Sequence, residues 1–360
     1  MRSTALLLLL LAAPIPRSVR GVEVGWQRPA FNHSAAPGGD RGHYVRGISP
    51  TTTFPPELVG QCRNRSDPRA GAAPATLFFL HIFKAAGSTT RDTLREYARR
   101  CSLNYRTCGS KCSRTRGTYI CLRDGRVTSR EAKEGVRKAD VIAGHLWFGM
   151  HRHISTNKRP VYVTCLRSPI TTAISGHLYT KERALSGKTV EEAASMMMGW
   201  LRINGIPSNY IKRLTGRNPR SRDDLLPMAE EAIGNLQKHF AVVGVVEMYG
   251  VFVDLVARLV DPLGTLMSPA FWEAQKAKRE NPSVMSSTKV LAVLRVAHRS
   301  FVDRFNATLR HDWAIYKAGH SLCLKQAKKE HISLGVPRAS QSFRGGRRWR
   351  LLQRRRRLDF

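Results

Sequence analysis

The residues with the most definite chemical use lie in one run, His81-Ile82-Phe83-Lys84-Ala85-Ala86-Gly87-Ser88-Thr89-Thr90. An apolar stretch precedes it and a helical pattern follows, so it reads as a strand, a loop and a helix N-terminus, a ready site for an anion. Gly87 lets the backbone approach an oxyanion, while Ser88, Thr89 and Thr90 offer hydroxyls and early helix amides. Lys84 adds a point charge. The order matters. ATP- and GTP-binding loops end in Gly-Lys-Ser/Thr, whereas here the lysine precedes the glycine. No carboxylate stands out as a magnesium ligand, so an ordinary nucleotide hydrolase is disfavoured.

Other reactive residues follow further apolar runs. Leu166-Arg167-Ser168-Pro169 leaves a strand, and Ser175 follows two helical turns later, so Arg167 and Ser175 can converge on a second phosphate. Gly144-His145 ends another strand and faces the same crevice. His177, near Ser175, competes with His145 as a base or packs on its helix. Glu247 orients the base or acceptor, or pairs with an arginine. His81 reads as a core or loop histidine, and His151-Arg152-His153 as a solvated basic turn rather than a metal site.

Together these motifs, with Val243-Gly244-Val245-Val246-Glu247, resemble the Golgi carbohydrate sulfotransferases. They are closest to the branch with the heparan sulfate and uronyl 2-O-sulfotransferases, and the similarity spans about residues 74–330. The resemblance implies an α/β fold, a P-loop-like three-layer sandwich with a central parallel sheet. It implies 3′-phosphoadenosine 5′-phosphosulfate as co-substrate and no metal. Lys84, Ala85, Ala86, Gly87, Ser88, Thr89 and Thr90 would hold its 5′-phosphosulfate, and Arg167 with Ser175 its 3′-phosphate. His145 would be the base on the acceptor hydroxyl, Lys84 would stabilise the leaving group, and Asn209 and Tyr210 would line the acceptor cleft. Three positions depart from the family pattern: Phe83 stands where proline is usual, Ala85-Ala86 replace a Thr-Gly pair, and Ser168 replaces an aspartate.

Four apolar runs must carry these loops: residues 75–81, 141–144, 161–166 and 242–246. Helical patterns lie between and after them, from Ser88 or Thr89 as cap to about Arg100, from Pro169, at about 189–201, 207–215 and 223–239, and from Phe252 to Val260. Two long ones, about 287–305 and 312–330, end the series. Strands alternating with helices imply a parallel sheet. Met196-Met197-Met198 reads as core filling.

The chain has 360 residues, with Lys+Arg 60 against Asp+Glu 26, a net charge of +34. Such a field favours polyanions, and an acidic glycan is the expected acceptor. The run Ala5 to Ala13 after Arg2 reads as a secretory signal or short anchor within residues 1–20, too short for the roughly 20 residues of a bilayer span. It directs the chain to the secretory pathway, in the Golgi lumen or beyond, and argues against nucleic acid as partner. Residues 21–73 read as a flexible stem, 74–335 as the catalytic domain and 336–360 as a basic disordered tail. Asn32, Asn64 and Asn306 open glycosylation tripeptides. Seven cysteines fit an oxidising compartment. Cys101, Cys108, Cys112 and Cys121 are spaced for disulfides rather than zinc, in any of three pairings, and Cys165 reads as a buried thiol. The alternative to an enzyme is a secreted polyanion-binding protein on the same fold that has lost catalysis; the intact Lys84, His145, Arg167 and Ser175 favour the enzyme.

Overall fold

The apolar runs become buried strands. A computed structural model of the chain describes residues 75–109, 119–123, 126–127, 129–203, 209–278 and 285–334. The signal, stem and tail, with Asn32 and Asn64, lie outside the described residues. Strand β1 (Ala75–His81) is buried at every position, as a strand covered on both faces must be. Helix α1 (Gly87–Arg100) follows, then β2 (Tyr105–Gly109), β3 (Tyr119–Arg123), β4 (Arg126–Val127), α2 (Arg130–Lys138), β5 (Val141–Gly144) and β6 (Arg159–Leu166). Helices α3 (Pro169–Thr180), α4 (Glu182–Leu185), α5 (Val190–Ile203), α6 (Asn209–Thr215) and α7 (Leu225–His239) lead to β7 (Phe240–Val245). The remainder is helical: α8 (Tyr249–Val260), α9 (Pro269–Ala277), α10 (Ser287–Ala297), α11 (Arg299–Thr308) and α12 (Arg310–Lys329).

The sheet order is β4-β3-β2-β5-β1-β6-β7. Strands β2, β5, β1, β6 and β7 are mutually parallel, β3 adds a parallel neighbour, and β4 pairs antiparallel with β3. Helices cover both faces. Successive strand residues point to opposite sides: Val243 meets Gly319 of α12, while Gly244 meets Phe252 of α8. A Cβ on Gly244 would lie 2.1 Å from the Phe252 ring, so this glycine is required by close packing. A second apolar cluster, including Ile174, Leu178, Met197, Leu291 and Phe305, joins α3, α5, α10 and α11 beside the main core. Met197 is core as expected, but Met196 is exposed.

Three further expectations change. The proposed helix over 287–305 breaks at His298 (φ −142°, ψ 45°) into α10 and α11. Neither Ser88 nor Thr89 caps α1; the cap is Ala86, with no side-chain hydrogen bond. The four clustered cysteines do not form two bridges, because Cys101 is disulfide-bonded while Cys108 is a buried free thiol, like Cys165 and Cys323. Asn306 lies within α11, and its carboxamide oxygen accepts a hydrogen bond from Trp313 Nε1 at 3.3 Å. Among the described residues no helix is long and apolar enough to cross a membrane.

Candidate active site

Strand β1 sits centrally, with β5 on one side and β6 on the other. Leu80 pairs with Gly144, and His81 with Cys165, so the loops after all three strands open at one carboxyl edge. Ligands of open α/β sheets bind there, where the chain reverses direction across the sheet.

After β1 the backbone folds into a cradle. Ala85 N–H donates to Ile82 O at 3.1 Å, and both Lys84 (φ 61°) and Ala86 (φ 56°) are left-handed. Alternating left-handed residues turn successive amides toward one concavity that suits an anion. Without a capping side chain, the first turn of α1 adds its dipole in the same direction. The cradle therefore suits an anion. Its hydroxyls are less equal than the sequence implies. Thr89 and Thr90 are 4% and 3% exposed; Thr90 Oγ1 donates to Ala86 O at 3.1 Å and lies 3.4 Å from Tyr249 Oη. Ser88 is only partly buried. Gly87 has a reason the sequence does not reveal: a Cβ there would fall 1.7 Å from the His81 ring.

His145 Nδ1 lies 3.2 Å from His81 O. A carbonyl only accepts, so Nδ1 carries the proton and Nε2 keeps its lone pair, the form a general base needs. The His145 ring stacks on His81 at 4.2 Å and meets Phe83 at 6.2 Å. Burial, followed by the charge of Arg213, lowers its pKa to about 4, opposed by the hydrogen bond to His81. Below it, Arg213 Nη1 donates to His145 O, and Phe148 N–H donates to Arg213 O at 2.8 Å. Helix α6 thus clamps the chain just after the base. His81 is 7% exposed, and its Nδ1 has no hydrogen-bond partner among the described residues. Burial, then the neighbouring His145, Arg91, Arg213 and Lys84, hold its pKa well below the ordinary value.

Lys84 Nζ rests 4.3 Å from the centroid of the Tyr179 ring, and burial with the nearby Arg167 lowers its pKa against the opposing pull of Glu182. Arg167 braces the cradle, with Nη1 donating to Lys84 O at 3.1 Å and Nη2 to Ser287 Oγ at 2.8 Å. The serine bound to this guanidinium is therefore Ser287, at the start of α10. Ser175, the serine expected beside it, is buried on α3.

The remaining candidates separate into different places. Tyr210 is 1% exposed; its hydroxyl donates to Arg167 O and lies 3.2 Å from Arg167 N. It supports the Arg167 turn from beneath instead of lining an acceptor cleft. Asn209 opens α6 and is partly buried. Glu247 Oε1 accepts the Ser168 N–H at 2.8 Å, which ties it to the Arg167 turn and not to the base. His177 is buried on α3, where burial and Lys181 lower its pKa. His151 is partly buried, its Nδ1 3.0 Å from Tyr162 Oη. Among the described residues no group of three or more His, Cys, Asp and Glu side chains is arranged to hold a metal.

The sequence singles out Lys84, His145 and Arg167, and the fold sets them after the carboxyl ends of the adjoining strands β1, β5 and β6. Ser287 escapes sequence reading, since it is 120 residues from its partner. No protein-family model matches this chain and no curated protein matches it.

Proposed function

We propose that the chain is a carbohydrate sulfotransferase. It moves a sulfuryl group from 3′-phosphoadenosine 5′-phosphosulfate to a glycan hydroxyl in the lumen of the secretory pathway. The sulfotransferase variety of the three-layer α/β fold belongs to this proposal, and the parallel order β2-β5-β1-β6-β7 is compatible with it. One observation carries the reading. A left-handed anion cradle, a base held in its accepting tautomer, and an arginine bonded to the cradle's own backbone meet at adjoining strand ends.

Sulfuryl transfer, like phosphoryl transfer, is mainly positioning and charge stabilisation of an in-line displacement. His145 Nε2 takes the proton of the acceptor hydroxyl as its oxygen bonds to sulfur. The bond from sulfur to the bridging oxygen breaks, and adenosine 3′,5′-bisphosphate leaves with the electron pair. Lys84 and the cradle amides stabilise that growing negative charge. Arg167, already fixed between Lys84 and Ser287, holds the loop in its binding shape and contributes charge toward the nucleotide.

The test is incubation of the purified full chain with donor labelled in its sulfur and a set of desulfated polysaccharides, followed by mapping of the labelled position. Label should enter a hydroxyl of at least one polysaccharide, and adenosine 3′,5′-bisphosphate should inhibit. A protein that binds neither donor nor bisphosphate by calorimetry overturns the proposal.

A further inference from the structure

Away from the strand ends, a cleft of about 390 Å³ opens where the loop before α7 faces the junction of α11 and α12. Lys212, Arg220, Arg222 and Ser221 line it, together with the buried Leu309 and Asp312. Among the described residues none of these three cations has an ion-pair partner. Nearby Arg217, by contrast, is bonded to Glu231. The adjacent carboxylate of Asp224 is already engaged, accepting the amides of Arg220 and Ser221 at 2.6 and 3.1 Å. It thereby shapes the cationic loop. Leu225, which also lines the cleft, starts the 15-residue α7, with Asp224 as its N-cap residue. Asp312 is the one carboxylate among the lining residues, set against three cations.

The cleft is coupled to the crevice by α6. Lys212 lines the cleft, while the next residue, Arg213, donates to His145 O. Cleft and base therefore flank one short helix, and a helix with its side chains is about 10 Å across. We infer that this cleft binds an oxyanion group, sulfate or carboxylate, carried on an acidic polysaccharide whose chain crosses α6. The oxyanion site stands on the cleft itself; that its polymer is also the acceptor rests on the sulfotransferase reading.

The test is hydrogen–deuterium exchange on the full chain, without donor, in the presence of three short oligosaccharides: one sulfated, one bearing only uronate carboxylates, one neutral. Peptides over residues 219–225 and 308–312 should be protected by an anionic oligosaccharide and not by the neutral one. The comparison of sulfated with uronate-only material identifies which oxyanion is held. Combined K212A, R220A and R222A substitutions should abolish that protection and weaken binding about tenfold, as expected for several partly exposed charge-assisted contacts. Arg222→Glu alone, at an exposed position, should weaken it in the same direction and serves if the triple variant is unstable. Equal protection by the neutral sugar, protection confined to other segments, or unchanged binding by the variants overturns the inference. Because no turnover is measured, a failure of sulfuryl transfer would leave this result standing, and a failure here would leave the donor site untouched.

Discussion

The stacked pair His81–His145 sets the terms for chemistry at the residue scale. The pKa of His145 is lowered to about 4, so its Nε2 is unprotonated throughout the neutral range. A base acts in its deprotonated form, so activity should be lost only as pH falls toward about 4, and not near the ordinary 6.5. An acid limb of kcat/KM near the unperturbed value would refute this environment for the base. His145→Ala should lower kcat by about 10²–10⁴ while binding of adenosine 3′,5′-bisphosphate persists, which calorimetry can separate from turnover. Near-normal turnover in that variant would transfer the role to His177, since Glu247 is engaged by the Ser168 amide. Arg167→Ala removes the brace on Lys84 O and Ser287 Oγ and a charge beside the cradle. Bisphosphate affinity should fall by about 1.5–3 kcal/mol, the range for hydrogen bonds to charged groups. An unchanged dissociation constant would show that Arg167 does not serve the nucleotide.

At the scale of elements, the β1–α1 loop concentrates strain where an anion is to be held. Lys84 and Ala86 are left-handed without being glycine, which costs about 1–3 kcal/mol each. Ala86→Gly relieves one of these and should raise stability by about 0.5–1 kcal/mol in denaturant melts while retaining donor binding. A loss of stability would mean that the Ala86 methyl packs favourably enough to outweigh the strain. This strain also marks where sequence reading ends. Strands β1 and β5 are legible to the residue because they are continuous apolar runs buried on both faces. Strand β2, Tyr-Arg-Thr-Cys-Gly, mixes charge with apolar side chains, and β4 has two residues, so neither announces itself. The break at His298 is equally silent, since both α10 and α11 keep a helical apolar pattern across it. Lys84, His145 and Arg167 are legible because each follows directly on a readable strand. Ser287 is not, since its partner lies far off in the chain and only the packing of α10 joins them.

For the whole molecule, burial of histidine in a strongly basic chain couples stability to acidity. His81, His145, His151, His153, His177, His239 and His311 all have lowered pKa values, with burial the leading cause in each. For His145 and His151 the value falls to about 4. Unfolded, each would titrate near its ordinary 6.5. Between these limits the unfolded chain binds more protons than the folded one, so stability rises with pH across the window and falls as pH drops through it. Surface carboxylates do not offset this. Glu96 and Glu134, hydrogen-bonded to Arg99 and Arg137, are held at about 2 and remain ionised over the same range. Each pKa unit corresponds to about 1.4 kcal/mol, and 1 kcal/mol moves Tm by about 2–4 °C in a domain of this size. Several histidines acting together should therefore lower Tm by about 5 °C or more between about pH 7 and pH 5. Thermal melts at constant ionic strength over that interval decide the matter, and a Tm that stays level or rises on acidification would show that these imidazoles are protonated in the folded protein. His145→Gln should reduce the slope of Tm against pH, because one of the strongly perturbed imidazoles is then gone. The same substitution removes the base, so one variant tests both the source of the acid sensitivity and the source of the activity.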